Sequence, residues 1–259
     1  MPKNFQCLNL PVRPAMSGRT ALVWPAMMWA FVLTPFAMNT LVALDTSTEF
    51  LSLAVAVGDS VRSVHQHVGQ QHAELTLPTL SRLLQEQGIG LDAVDAIAFG
   101  NGPGAFTGLR IGCGLAQGLA LAHEMPLIPV STLAVLAASV SASRVLACLD
   151  ARMGQVYWAA YVDGVEVCPP GLFTPEDVPL PDGEGWLLAG SGAAAHEAAL
   201  RVRLGAALAA VDGQASPRAE ALISLARGGR WPACPPDAAE LCYVRDKVAL
   251  KTHERLAAA

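Results

Sequence analysis

Paired cysteines are missing from this chain. The six cysteines stand at 7, 113, 148, 168, 234 and 242, and no two form Cys-x-x-Cys. That pattern excludes a dithiol motif and the common zinc spacings. Cys113 and Cys148 lie inside apolar runs, so the sequence reads as reduced thiols in a cytoplasmic protein, not as a disulfide framework. Charge is also scarce. Asp, Glu, Lys and Arg make up 15% of the residues and the formal net charge is −5. Without a basic field, tight nucleic-acid binding by the chain alone is not expected. The 259 residues are 53% hydrophobic. This is too apolar for disorder, and long enough for one large domain or two small ones.

The usual catalytic signatures are lacking too. A zinc peptidase needs two histidines four apart on a helix with a glutamate beside them. His72 opens a helical stretch, but Thr76 stands where the second histidine belongs. His65 and His67 share a face of a predicted strand, which is usually only a polar strand face. No metal site and no peptidase activity are expected. The stretch GNGPGAFTGLRIG (100–112) has the glycines of a phosphate cradle. Leu109-Arg110 follows Gly108, however, where a P-loop carries Lys-Ser/Thr. Arg110 alone keeps an anion in view.

Residues 1–37 differ from the rest. Lys3, Arg13 and Arg19 precede ALVWPAMMWAFVLTPFAM (21–38). Pro25 and Pro35 interrupt it, and its length of about 18 residues is marginal for spanning a membrane. No small-residue cleavage site follows. The segment is expected to be a poorly ordered extension, or the product of a start placed too early, with Met38 opening the globular part. No membrane association is expected.

From residue 40 the pattern is that of an α/β protein. TLVALDTST (40–48), FLSLAVAVGD (50–59) and SVRSVHQHV (60–68) read as three strands. Residues 72–88 take helical spacing, with Pro78 inside and Gly88 as a stop. VDAIAFG (94–100) reads as a buried strand, 106–123 as a helix, 127–131 as a strand and 132–140 as a helix. The layout then restarts: RVLACLDARMGQVYWAAYVDG (144–164) is a strand, an aspartate turn and a second strand, so Asp150 repeats the position of Asp45. WLLAGSGAAAHEAAL (186–200) reads as strand, glycine turn and helix. SPRAEALISLARGG (216–229) reads as a helix with Ser216 as its N-cap.

Three stretches, ALDTST (43–48), GNGPGAFTGLRIGCGLAQGLA (100–120) and LDARMGQVYWA (149–159), resemble the bacterial TsaB proteins, also called YeaZ. The tail LCYVRDKVA (241–249) resembles that family's closing Tyr-Leu-Arg segment, with Val244 for the leucine and Cys242 for the usual proline. The resemblance covers about 40–250. It implies an actin-like, sugar-kinase and Hsp70 type of fold with two related α/β lobes, here 38–140 and 141–259. It also implies a subunit, not itself catalytic, of the complex that makes N6-threonylcarbamoyladenosine at position 37 of tRNA. The implied partners are a catalytic paralogue of the TsaD type and an ATPase of the TsaE type. A homodimer is implied when the chain is alone, and tRNA is met only through the complex.

Within such a fold, an aspartate turn faces the phosphates of a nucleotide. Asp45, Thr46, Ser47 and Asp150 are therefore candidate contacts for ATP or ADP with Mg²⁺. The alternative is that the aspartates only cap their own turns. An actin-like small-molecule kinase or phosphotransferase is the rival function. The helix after the glycine loop carries small residues in two rows, Gly108, Gly112, Ala116, Ala120 and Gly114, Gly118, Ala122, with Ile111, Leu115 and Leu119 between them. Glycine inside a helix costs about 0.5–1 kcal/mol relative to alanine, so close approach of another element is the expected benefit. That element is either in this chain or in a partner. The residues assigned to a partner interface are His72, Leu75, Pro78, Leu83, Arg110, Gly112, Leu115, Ala116 and Leu119.

Overall fold

The computed structural model describes residues 38–244. Expectations for residues 1–37, and for the tail beyond Val244, lie outside the described residues. Two five-stranded mixed sheets carry the fold. The first has the order β3-β2-β1-β4-β5, from β1 (Thr40–Asp45), β2 (Phe50–Val57), β3 (Ser60–His67), β4 (Ala96–Gly100) and β5 (Leu127–Val130). β1 pairs antiparallel with β2 and parallel with β4, and β4 pairs parallel with β5. The second repeats this arrangement, in the order β10-β9-β6-β7-β8. Its strands are β6 (Arg144–Asp150), β7 (Val156–Val162), β8 (Val165–Phe173), β9 (Trp186–Ala189) and β10 (Leu208–Asp212).

The period of two along β1 and β4 sorts the residues by size. Val42, Leu44, Ile97 and Phe99 point to one face, where α1 (His72–Gln87) and α2 (Phe106–Ala122) cover them with Leu80, Leu83, Leu84 and Ala116. Ala43, Ala96 and Ala98 point to the other, together with Ala54 and Ala56 of β2. These small side chains let α6 (Ala219–Arg227) lie close, through Ala219, Leu222 and Ile223. α3 (Thr132–Ala138) packs on the second sheet through Leu133 and Leu136, against Val145, Ala147 and Tyr161. The far face of that sheet buries Trp158 and Trp186 under α4 (Ser191–Ala195) and α5 (Glu197–Leu204). Each fully buried leucine or isoleucine in these layers contributes roughly 1.5–3 kcal/mol of transfer free energy.

Several expectations need correction. The strands β8 and β10 were not anticipated, because β8 contains Pro169-Pro170 and β10 is the short run Leu208–Asp212. The single helix expected after Trp186 is two, α4 and α5, divided at His196. The N-cap of α6 is Arg218, not Ser216. Ser216 instead bonds the His65 ring at 2.9 Å, and Ser52 Oγ accepts the N–H of Ala219. Pro78 lies within α1, which runs on through it. Proline cannot donate to the Glu74 carbonyl, but both residues are exposed, so water can take that bond. Gly88 closes α1 in the left-handed conformation, as its position suggested. Finally, the chain after Asp212 does not stay with the second sheet. α6 covers the first sheet, Cys234 bridges to Leu127, and the N–H of Cys242 bonds the Asn101 carbonyl. A boundary at 140/141 therefore separates the strands of the two sheets, but not the chain that packs on them.

Candidate functional site

The first sheet ends its parallel strands side by side, which brings Asp45, Gly100 and the Ser131-Thr132 corner together. Asp45 is 1% exposed. Its Oδ1 accepts the Ser47 N–H at 3.0 Å and the Ser47 hydroxyl at 2.7 Å. Its Oδ2 has no partner among the described residues. Burial pushes the carboxyl up from 3.8 to about 6, against the two Ser47 bonds, which favour the ionised form. A Cβ on Gly100 would collide with Oδ2, so only glycine fits beside this carboxyl.

The glycine loop then folds down onto the turn. The Ala105 N–H donates to the Ser47 carbonyl at 2.7 Å, and the Thr46 hydroxyl donates to the Gly108 carbonyl at 2.8 Å. A Cβ on Gly104 would stand 2.5 Å from Ser47 O, and one on Gly108 or Gly112 would collide with Thr46. Thr132 ties down the other end: its N–H donates to the Gly102 carbonyl at 2.8 Å, and its hydroxyl accepts the Gly102 N–H at 3.1 Å. The Gly102-Pro103 peptide is cis. The loop glycines are thus used to let one backbone lie on another. Thr46 and Ser47, 2% and 1% exposed, face that backbone.

Asp150 differs from its counterpart. Its side chain is 20% exposed, it accepts the Arg152 N–H at 2.9 Å, and it pairs with Arg152 at 3.4 Å and His196 at 3.9 Å. Arg152 also reaches Glu49 at 3.6 Å, on the turn after β1. The two aspartate turns therefore face one another, one plugged by glycines and the other open and ion-paired. Among the described residues no group of three His, Cys, Asp or Glu side chains could hold a metal ion. His65 stacks on Phe50 at 4.8 Å, His67 meets Glu49 at 3.4 Å, and His72 is buried against the Phe50 carbonyl at 3.3 Å.

The residues assigned to an interface divide into two groups. His72, Leu83, Gly112 and Ala116 point into the chain's own core, and Gly112 lies against Thr46 and Leu44. This corrects the expectation for these four, since the Gly108 row faces β1 and not a neighbouring molecule. Pro78 and Arg110 are exposed, while Leu75, Leu115 and Leu119 are half-buried. The second row, Gly114, Gly118 and Ala122, is the exposed one, and nothing lies within 4 Å of a Cβ placed on Gly114 or Gly118. Leu121 beside it is 64% exposed, and Leu77 on α1 is 45% exposed. At the start of α2 the Arg110 guanidinium lies 4.0 Å over the Phe106 ring and donates to the Tyr243 hydroxyl at 3.2 Å. Sequence reasoning left out Phe106 and Tyr243. The tail motif around Tyr243 was the available signal, but nothing in it says that the tail returns to α2.

Known proteins place this arrangement. Residues 61–170 match the family described as TsaD, tRNA N6-adenosine threonylcarbamoyltransferase. The tRNA threonylcarbamoyladenosine biosynthesis protein TsaB of Escherichia coli is 45% identical over 125 residues, 47% of this chain and 54% of that protein. Its counterpart in Haemophilus influenzae is 42% identical over 127 residues, 48% of this chain and 54% of that protein. The chain thus spans about half the length of these curated relatives. The solved structure of YeaZ from Pseudomonas aeruginosa is 40% identical, with a TM-score of 0.74, and the match covers 80% of this chain and 100% of that one. Among the described residues no helix is long and apolar enough to cross a membrane.

Proposed function

The chain belongs to the bacterial TsaB (YeaZ) family, and from that premise we propose that it is a non-catalytic subunit in the synthesis of N6-threonylcarbamoyladenosine on tRNA. It binds and organises a catalytic paralogue of the TsaD type in the cytoplasm, with a TsaE-type ATPase joining the complex. The fold this reading adopts is the actin-like one, with two related lobes. Alone, the chain forms a homodimer through the same surface, and it meets tRNA only through the complex. The observation that carries the reading is the plugged turn. In an actin-like kinase the first aspartate turn must be open to phosphates. Here the backbone of Gly104, Gly108 and Gly112 lies directly against Thr46 and Ser47 of that turn. The residues freed for binding lie outside, where Gly114, Gly118 and Leu121 leave a smooth apolar strip on α2.

Reconstitution tests this directly. A defined tRNA-modification mixture containing the catalytic paralogue and the ATPase should lose activity when this chain is omitted. It should recover with Asp45→Asn, because Asp45 makes no contact with substrate in this reading. Loss of activity in Asp45→Asn with complex assembly intact would favour the rival kinase or phosphotransferase.

A further inference from the structure

One cavity lies away from both aspartate turns. It has a volume of about 340 Å³, between α3, α6, the end of the β7–β8 hairpin and Trp231. This falls within the roughly 300–1,000 Å³ of small-molecule sites. Ala134 and Ala137, one helical turn apart on α3, form its floor, and their short side chains are the reason that space remains. Leu225 and the rings of Tyr161 and Trp231 form the walls. Val165, a valine 52% exposed, forms part of the lip.

The mouth carries two opposite charges. Glu166 sits across the hairpin from Tyr161, and burial pushes its carboxyl up. It forms no ion pair among the described residues. Arg230 stands on the other side. It donates to the Gly164 carbonyl, which pins the hairpin turn over the cavity, and among the described residues it forms no ion pair, leaving the rest of its guanidinium to bind an anionic group.

We propose that this cavity binds a small zwitterion with a large apolar side chain, of the free α-amino-acid class. Arg230 takes the carboxylate, Glu166 the ammonium group, and the space over Ala134 and Ala137 the side chain. The charges decide among ligand classes. A nucleotide or sugar phosphate would set its negative charge beside an unpaired carboxylate. A wholly apolar ligand would leave both charges at the mouth without partners. A zwitterion answers both, and its side chain covers the exposed face of Val165. The site is independent of the role proposed above, since it touches neither α2 nor the glycine loop.

Calorimetric titration of the full chain with leucine, phenylalanine, tryptophan and glycine tests this. At least one of the three larger amino acids should bind saturably. Glycine, and the N-acetyl amide of the best ligand, should bind at least about tenfold more weakly, as loss of a charged hydrogen bond or of apolar burial implies. Glu166→Gln should weaken binding about tenfold with the melting temperature unchanged. Ala138→Phe, at an exposed lining position, should abolish binding by filling the space. The proposal is overturned if none of the three binds at millimolar concentration. It is also overturned if the N-acetyl amide binds as tightly as the amino acid, or if binding survives Glu166→Gln undiminished. Should Ala138→Phe fail to fold, the surface substitution Glu166→Gln and the ligand series decide the question alone.

Discussion

Thr46 and Gly108 lie back to back: the Thr46 hydroxyl donates to the Gly108 carbonyl at 2.8 Å, and any Cβ on Gly108 would strike the Thr46 carbonyl oxygen. Sixty-two positions apart in sequence, they join the end of β1 to the first turn of α2. The contact explains why a helix-weakening residue sits where α2 begins. It also holds the start of α2 against the turn that follows β1.

Alanine at two glycines of the same helix should therefore have opposite effects. Gly114→Ala gains helix propensity with nothing in its way and should stabilise the chain by about 0.5–1 kcal/mol. Gly108→Ala must push β1 and α2 apart, and should cost on the order of 1–3 kcal/mol despite the same gain. Chemical denaturation of the two variants measures both. Equal effects would mean that the backbone contact is not what holds glycine at 108.

The same division applies to partner binding. Gly118→Leu adds bulk to the exposed row and should block co-purification with the catalytic paralogue, leaving a folded monomer with an unchanged melting transition. Gly112→Leu adds bulk between α2 and Leu44, and should unfold the chain outright. A folded Gly118→Leu that still pairs normally would remove α2 from the interface.

These rows show what could be read in advance and what could not. Helical period groups Gly108 with Gly112 and Gly114 with Gly118, so both rows were visible. Which row faces inward depends on where β1 lies, and β1 is more than sixty residues away. The strands β1, β2 and β4 were legible because their residues alternate or run apolar between clear turns. β8 was hidden by Pro169-Pro170. Ser216 read as a helix cap because Ser-Pro before an acidic residue is a local signal. Its real partner, His65, is 151 positions away and leaves no mark nearby. The glycines of the loop pointed to a close approach of some other element, but only the fold shows that this element is the Thr46-Ser47 turn.

Asp45 should cost the chain stability at neutral pH. Its folded value is raised from 3.8 to about 6, so the folded state holds the proton more tightly than the unfolded state. Its contribution is fully favourable below about pH 4 and is lost as pH rises through about 6. At pH 7.5 the penalty is about 3 kcal/mol at most. Asp45→Asn keeps an oxygen for the Ser47 bonds and carries no charge. It should be more stable than the wild type at pH 7.5, with the gap closing towards pH 4. Urea titrations across that range test this, and a gap independent of pH would show that Asp45 is not the titrating group.

His65 should act in the opposite direction. Its value is lowered, first by burial and then by Arg218, with Glu220 opposing. The folded state therefore holds this proton less tightly than the unfolded state. Stability from His65 is fully present above about 6.5 and is lost as pH falls below it, through the lowered folded value. Phe50 stacks on the ring and Ser216 bonds it, so protonation disturbs the seat of α6 on the first sheet. His65→Gln retains a group that can bond Ser216 but does not titrate, so between pH 7 and 5 its stability should rise relative to the wild type. Over the same interval Asp45 acts in the opposite direction and gains stability as it takes up its proton. The slope of the wild-type curve should therefore lie between those of Asp45→Asn, which keeps only the acid loss, and His65→Gln, which keeps only the acid gain. Denaturant midpoints for the three proteins at pH 5, 6 and 7 decide it, and parallel curves would remove both residues from the pH response.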